Sequence, residues 1–244
     1  MQYLKLSKLS ASSSTNKELK DLLKLNKLNT GDGVWTLNQT NGVGQLGSVW
    51  YGEANSHLAF SFYKKINDLK PKWSYSLNCA SALGVIDTLK QFDVPNLSVK
   101  WPNDILSGNK KICGILAENK IKGKKIESVI GIGINLYEKS FLNLPNATSI
   151  YIATKKKPEV HFFVERLSKN LFNNLLLCND KNINSLNQNF NEKLFYLNQN
   201  INFNIGGEIV NAKINKVHLN GLLELEFKNG KLKNFQPKEI KMLY

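Results

Sequence analysis

Arginine is almost missing from this 244-residue chain, in which Arg166 is the only one. Direct readout of DNA bases leans on arginine forks that reach two acceptors on one base edge. A sequence-specific DNA-binding role therefore finds little support. Cysteine is scarce as well, limited to Cys79, Cys113 and Cys178. The count is odd, no C-x-x-C pair occurs, and each site has apolar neighbours, which argues against a disulfide frame and against a zinc centre. Small packing residues in a reducing compartment are the simpler reading. No apolar run reaches the roughly 18 residues of a membrane span. The uncharged stretch 73–86 is too short and carries Ser and Asn. The opening MQYLKLSKLSASSSTN has no apolar core and does not read as a signal peptide. A cytoplasmic location is expected.

What is present is the composition of a globular chain, with 42% hydrophobic, 10% aromatic and 21% charged residues. The net charge is +14, from 33 Lys and Arg against 19 Asp and Glu. A basic chain raises the question of nucleic acid. The charge here is nearly all lysine in a background rich in Asn and Ile, as codon bias toward A and T produces. Apart from 122–125 and 155–157, the lysines are scattered. The charge is better read as favouring an acidic partner or an anionic substrate.

Apolar periodicity gives the organisation. Thr15 with Glu18 three residues later fits a capping box ahead of Leu19, Leu22 and Leu23, so a helix is expected there. Strands are expected at 34–40, 57–63, 97–101, 112–118 and 126–134, with a hairpin turn at 121–124. Helices are expected at 76–92, at a long amphipathic stretch opened by Pro158, and at 182–197. From 201 onward short alternating strands are punctuated by Gly206-Gly207, Asn220-Gly221 and Asn229-Gly230. The fold class is therefore α+β, with a mixed-sheet domain over 1–198 and a small all-β domain over 199–244.

Three stretches carry candidate chemistry. The loop 39–50, QTNGVGQLGSVW, is dense in glycine, so its backbone amides can face an anion while Trp50 stacks on a base. The stretch VKWPND (99–104) ends a strand at a Pro-Asn-Asp turn, and KKICGILAE (110–118) then brings a lysine beside a glycine. A lysine is a compact point charge suited to phosphate and carboxylate oxygens. The third, GIGIN (131–135), is a strand that allows close approach to its backbone and ends in Asn.

Taken in order, SSTN (13–16), QTNGVGQLG, KWPND, KKICGILAE and GIGIN resemble the biotin–protein ligases, from about Ser14 to the C-terminus. The resemblance implies a class II synthetase-like biotin/lipoate ligase catalytic domain followed by a small SH3-like β-barrel. It matches the short form without a DNA-binding domain. It implies ATP and biotin as substrates, Mg²⁺ with the phosphates, and a biotin carboxyl carrier protein as acceptor. It implies neither sequence-specific DNA nor a membrane as partner, and a homodimer is an arrangement some members adopt. Two steps follow: biotin's carboxylate attacks the α-phosphate of ATP, and a carrier lysine then attacks the resulting adenylate.

Carried over residue by residue, the resemblance makes Lys111 the catalytic cation. Ser14, Thr15, Asn16 and Gln39 would hold the biotin ring, with Gly42, Val43, Gly44, Gln45, Gly114 and Lys111 itself completing the biotin site. Gly47, Trp50, Asn103 and Asn135 would face the nucleotide. No dedicated metal ligands are expected. The sequence departs from the family at Val43, where an arginine is usual, at Leu46, often basic, and at His57, where Asn is common. Losing a charge-assisted contact at Val43 costs roughly 1.5–3 kcal/mol. Two alternatives follow: a degenerate homologue that binds biotin or adenylate with weak transfer, motivated by Val43, and a lipoate or octanoate ligase, against which KWPND argues.

Overall fold

The computed structural model describes residues 4–142 and 144–244. The first three residues of the segment read for a signal peptide lie outside the described residues, as does the side chain of Leu46. The chain opens with strand β1 (Leu6–Lys8), helix α1 (Thr15–Lys24) and strand β2 (Gly33–Thr36). A short hairpin, β3 (Gly42–Val43) and β4 (Val49–Trp50), precedes strand β5 (His57–Ile66) and helix α2 (Ser76–Gln91). Strands β6 (Leu97–Lys100), β7 (Asp104–Ser107), β8 (Lys110–Lys122) and β9 (Lys125–Asn135) follow. Helices α3 (Ile150–Thr154), α4 (Val160–Leu175) and α5 (Ile183–Asn191) come next. Strands β10 (Asn200–Ile205), β11 (Glu208–Val217), β12 (Leu223–Phe227), β13 (Leu232–Phe235) and β14 (Ile240–Leu243) close the chain.

Seven strands pair in the order β1-β2-β5-β9-β8-β7-β6. Only β1 and β2 run parallel and the other pairs are antiparallel, so the sheet is mixed. Alternation along each strand gives its two faces different tasks. On β9, Ile130, Ile132 and Ile134 enter the main core with Leu58, Phe60 and Phe62 of β5. Helix α2 is buried along most of its surface between this face, α4 and α5, which explains why its sequence is apolar nearly all round. The opposite face carries α1, through Leu19 packed with Val34, Tyr63 and Val129. That face is also where β8 and β9 present glycines, and there the candidate site lies.

The last five strands form an antiparallel sheet in the order β13-β12-β11-β10-β14, which stays open at its two edges. Its glycine turns all adopt left-handed conformations, as at Gly221 (φ 88°) and Gly230 (φ 75°). Phe203, Ile214, Leu223 and Leu225 belong to the same buried cluster as α2 and the main sheet, so one core serves both sheets.

Several local expectations shift. The N-cap of α1 is Ser14, and its side chain makes no capping bond. The expected capping box is absent: Glu18 instead accepts from Ser12 Oγ at 3.1 Å. Pro158 precedes the helix it was expected to open, and Glu159 caps α4 by accepting from the amides of His161 and Phe162. Helix α5 ends at Asn191 rather than near 197. Strand β7 was not expected, because four residues opening on Asp carry little strand propensity of their own.

Candidate active site

The floor of the site is bare backbone. Gly114 on β8 and Gly133 on β9 are partners across the ladder, and the Trp50 indole lies against both. A Cβ added to Gly133 would stand 2.4 Å from Trp50 Cε2, and one on Gly114 would stand 3.0 Å from Cζ3. Two residues along β9, a Cβ on Gly131 would stand 2.5 Å from Asn16 Oδ1. The close approach read from GIGIN is thus made by Trp50 and Asn16. The buried Trp50 Nε1 has no hydrogen-bond partner among the described residues.

The start of α1 forms one wall. Thr15 donates to Gln39 Oε1 from its amide at 2.9 Å and from its hydroxyl at 3.3 Å. Ser61 Oγ lies 2.7 Å from Thr15 Oγ1 and 2.6 Å from Asn16 Oδ1. Asn16 Nδ2 donates to Glu118 Oε2 at 2.8 Å. Thr15, Asn16 and Ser61 are buried, Gln39 and Glu118 are partly exposed, and each is oriented by another. This is why the helix start does not use them as caps: their hydrogen-bonding groups turn inward.

Charge gathers at the opposite wall. Lys111 Nζ lies 2.6 Å from Asp104 Oδ1, and Lys100 Nζ lies 3.8 Å from Asp104 Oδ2. Lys111 Nζ also lies 5.4 Å from the Trp50 ring centroid. The turn that presents Asp104 is held on both sides. Asn103 exchanges bonds with Ile115 of β8, its Nδ2 donating to Ile115 O at 2.7 Å and its O accepting from Ile115 N at 3.0 Å. Pro102 O accepts from Tyr75 OH at 2.7 Å and from Asn78 Nδ2 at 2.8 Å. Beside Lys111, burial pushes the Cys113 thiol well up. All three cysteines are free and buried, and burial raises the Cys178 thiol to about 12, so each stays protonated and inert as a nucleophile.

A cavity of about 250 Å³ joins these walls. It is lined by Ser14, Thr15, Asn16 and Gln39 at one end, by Val43, Gly44, Gln45 and Trp50 along the loop, and by Asn103, Lys111 and Gly114 at the other end. Three expected residues do not line it. Gly42 lies beneath, where a Cβ would meet Gln39 and Trp50. Gly47, with φ 81°, has nothing within 4 Å of its Cβ direction. Asn135 lines a neighbouring cavity of about 370 Å³ and donates to Thr148 O. The two cavities share Val49, Trp50, Asp104 and Lys111.

Sequence reasoning had not assigned Asp104, Ser61 or Pro237 to the site, although Asp104 and Pro237 line the cavity and Ser61 sits behind it. Val43 is half exposed on the rim, opposite Val49 in the hairpin. His57 is buried away from the cavity and its Nδ1 lies 2.9 Å from Glu53 O. Among the described residues no group of three or more His, Cys, Asp or Glu is placed to hold a metal. Nor is any helix long and apolar enough to cross a membrane.

Known proteins resemble this chain in sequence and in fold. The model of the biotin/lipoate A/B protein ligase family matches residues 9–135. The biotin–[acetyl-CoA-carboxylase] ligase of Mycobacterium tuberculosis is 30% identical over 146 residues, which cover 57% of this chain and 53% of that protein. The bifunctional ligase/repressor BirA of Bacillus spizizenii is 32% identical over 103 residues, or 42% of this chain and 31% of that protein. The chain thus spans well under two thirds of these curated relatives. Among solved structures, the biotin protein ligase from Aquifex aeolicus in complex with biotin and ATP superposes with a TM-score of 0.79 at 25% identity, covering 99% of both chains. The biotin acetyl coenzyme A carboxylase synthetase from Helicobacter pylori, with bound biotinylated ATP, shares the fold, with a TM-score of 0.61 at 24% identity over 96% of this chain and 100% of that one.

Proposed function

The chain belongs to the biotin/lipoate A/B protein ligase family, and from that premise we propose that it is an ATP-dependent biotin–protein ligase. The observation that carries this reading is the placement of Lys111 where two cavities meet, against the Trp50 ring and 2.6 Å from Asp104. Joining a carboxylate to a triphosphate brings two anions together, so the site needs a fixed cation where charge develops. Lys111 supplies it. The Asp104 carboxylate stands on Lys111 as a substrate carboxylate or phosphate would.

The biotin ring, a neutral hydrogen-bonding head, goes to Ser14, Thr15, Asn16 and Gln39, of which Ser61 orients Thr15 and Asn16 and Thr15 orients Gln39. Its chain runs along the Trp50 ring, which itself lies on the Gly114–Gly133 floor, toward Lys111, covered by Val43, Gly44 and Gln45. The nucleotide occupies the second cavity, with Trp50 and Asn135 as its contacts, while Asn103 approaches it from the first cavity beside Asp104. Biotin's carboxylate oxygen attacks the α-phosphorus, the bond to the β-phosphate oxygen breaks and pyrophosphate leaves. A lysine amine of a biotin carboxyl carrier protein then attacks the carbonyl carbon of the mixed anhydride. It forms the amide and loses a proton, and AMP departs. Closure of the glycine loop keeps water from the anhydride.

Mg²⁺ brought with ATP would supply charge neutralisation at the phosphates, and as an ion that keeps its waters it would need few protein ligands. Among the described lining residues Asp104 is the only carboxylate, and it can bind the cation through water. The basic chain favours an acidic carrier surface, a cytoplasmic setting fits its free cysteines, and we place the division between catalytic and C-terminal β domains at 198/199. The test is pyrophosphate release with ATP, Mg²⁺ and biotin, with and without a carrier domain. Octanoate or lipoate in place of biotin distinguishes the related ligases. Release driven by those acids and not by biotin would overturn the assignment.

A further inference from the structure

The turn between β11 and β12 belongs to the C-terminal sheet, yet it touches the motif that holds Lys111. Trp101 Nε1 donates to Gly221 O at 2.9 Å in a buried contact. A Cβ added to Gly221 would stand 2.7 Å from Tyr75 Cγ and 2.8 Å from Cδ2, so the backbone of the turn rests on the Tyr75 ring. That ring is backed in turn by Phe190, edge-on with centroids 6.1 Å apart. Tyr75 OH donates to Pro102 O, and Pro102 is followed by Asn103, clamped to Ile115, and by Asp104, paired with Lys111. A continuous line of packed and hydrogen-bonded groups therefore runs from Gly221 to the amine of Lys111. The loop before β14 adds Pro237 to the cavity wall.

Resting on the reading of the site given above, we propose that Gly221, Trp101 and Tyr75 are positioning residues. The turn of the C-terminal sheet braces the Pro102–Asp104 turn from behind and so sets where Asp104 holds Lys111. A glycine is required at 221 on two counts: its φ is 88°, and the Tyr75 ring leaves no room for a side chain. None of the three bears on the ring-binding wall, which is built from α1, Gln39 and Ser61 on the other side of the cavity. The brace therefore acts on the chemical step and leaves recognition of the biotin ring unaffected.

The test compares Tyr75→Phe, Trp101→Phe and Gly221→Ala with Gly230→Ala. Gly230 occupies the same sheet with φ 75° and open space around it, so its substitution strains the sheet without reaching the site. Thermal denaturation and biotin-dependent pyrophosphate release are measured for each full-length variant. The brace predicts that kcat falls roughly 10- to 100-fold in the first three while KM for biotin is unchanged, as expected for a misplaced catalytic group. Gly230→Ala, which shares the backbone strain of Gly221→Ala without the ring clash, keeps the wild-type kcat. Tyr75→Phe with Gly221→Ala in one chain falls short of the summed single effects, because both act through the same carbonyl. Equal kcat in Gly221→Ala and Gly230→Ala, or a loss confined to KM for biotin, overturns the proposal. Should Gly221→Ala fail to fold, Tyr75→Phe decides alone, since it removes one hydroxyl and keeps the ring. If the wild type itself releases no pyrophosphate, the reading of the site fails instead. The amide resonances of Asn103, Asp104 and Ile115 then test the brace: Tyr75→Phe must shift them and Gly230→Ala must not.

Discussion

Replacing Gly133 with alanine perturbs the floor of the cavity by one methyl group at a defined place. The added carbon would stand 2.4 Å from Trp50 Cε2, 2.7 Å from Cδ2 and 2.8 Å from Cζ2. Carbon atoms settle at about 3.5–4.0 Å, so the indole must move by roughly 1 Å or more. A retreat along the ladder is blocked because the same ring lies against Gly114. The ring has to tilt up into the cavity. Overpacking of this kind costs about 1–3 kcal/mol. The larger effect is expected on catalysis, since the displaced ring carries the surface against which Lys111 rests, and a shift near 1 Å costs on the order of 100-fold. Urea denaturation measures the first quantity, and pyrophosphate release at varied ATP and biotin measures the second. A variant with wild-type kcat/KM for both substrates would refute the claim that Trp50 sits on a bare glycine floor as part of the site.

Further outcomes follow from other contacts. Ser61→Ala removes the hydroxyl that orients Thr15 and Asn16, and leaving the buried Asn16 Oδ1 without its donor costs about 1–3 kcal/mol. It raises KM for biotin more than KM for ATP, and steady-state kinetics together with denaturant titration check both. Val43→Arg adds a cation on the exposed rim, and its contact to the adenylate should slow loss of the intermediate roughly 10- to 100-fold, measured as adenylate half-life without carrier. Hydrogen bonds from the amides of Phe162 and His161 hold the Glu159 carboxyl below its usual 4.5. Its folded pKa lies under its unfolded one, so the stabilisation is present above 4.5 and disappears as pH falls through the lower folded value. Glu159→Gln lowers the melting temperature at neutral pH and flattens the acid-side slope, seen by thermal denaturation across pH.

Much of this arrangement was legible because its signals are local. Glycine turns at 206–207, 220–221 and 229–230 lie where the sequence put them, since a left-handed backbone selects its residue. The alternation of isoleucine with glycine in GIGIN distinguishes a core face from a bare one, and Trp50 and Asn16 approach that bare face. The start of α1 misled for a physical reason. Ser, Thr and Asn suit an N-cap and a ligand wall equally well, and only the position of Ser61 and Gln39 decides between them. Ser61 itself has no local signature, being one hydroxyl in a strand. The pairing of Asp104 with Lys111 depends on β7 lying beside β8, and β7 is too short to announce itself. The contact from Gly221 to Trp101 spans 120 residues and belongs entirely to tertiary structure.

The central claim is that Lys111 supplies the cation for joining biotin to ATP. Pyrophosphate release with ATP and Mg²⁺, with and without biotin, for the wild type and Lys111→Ala, tests it most directly. The account predicts release that requires biotin, increases with a carrier domain, and falls roughly 100- to 1000-fold in Lys111→Ala, as when a preorganised electrostatic group is removed. Release that ignores biotin, or a Lys111→Ala variant as fast as the wild type, would contradict it.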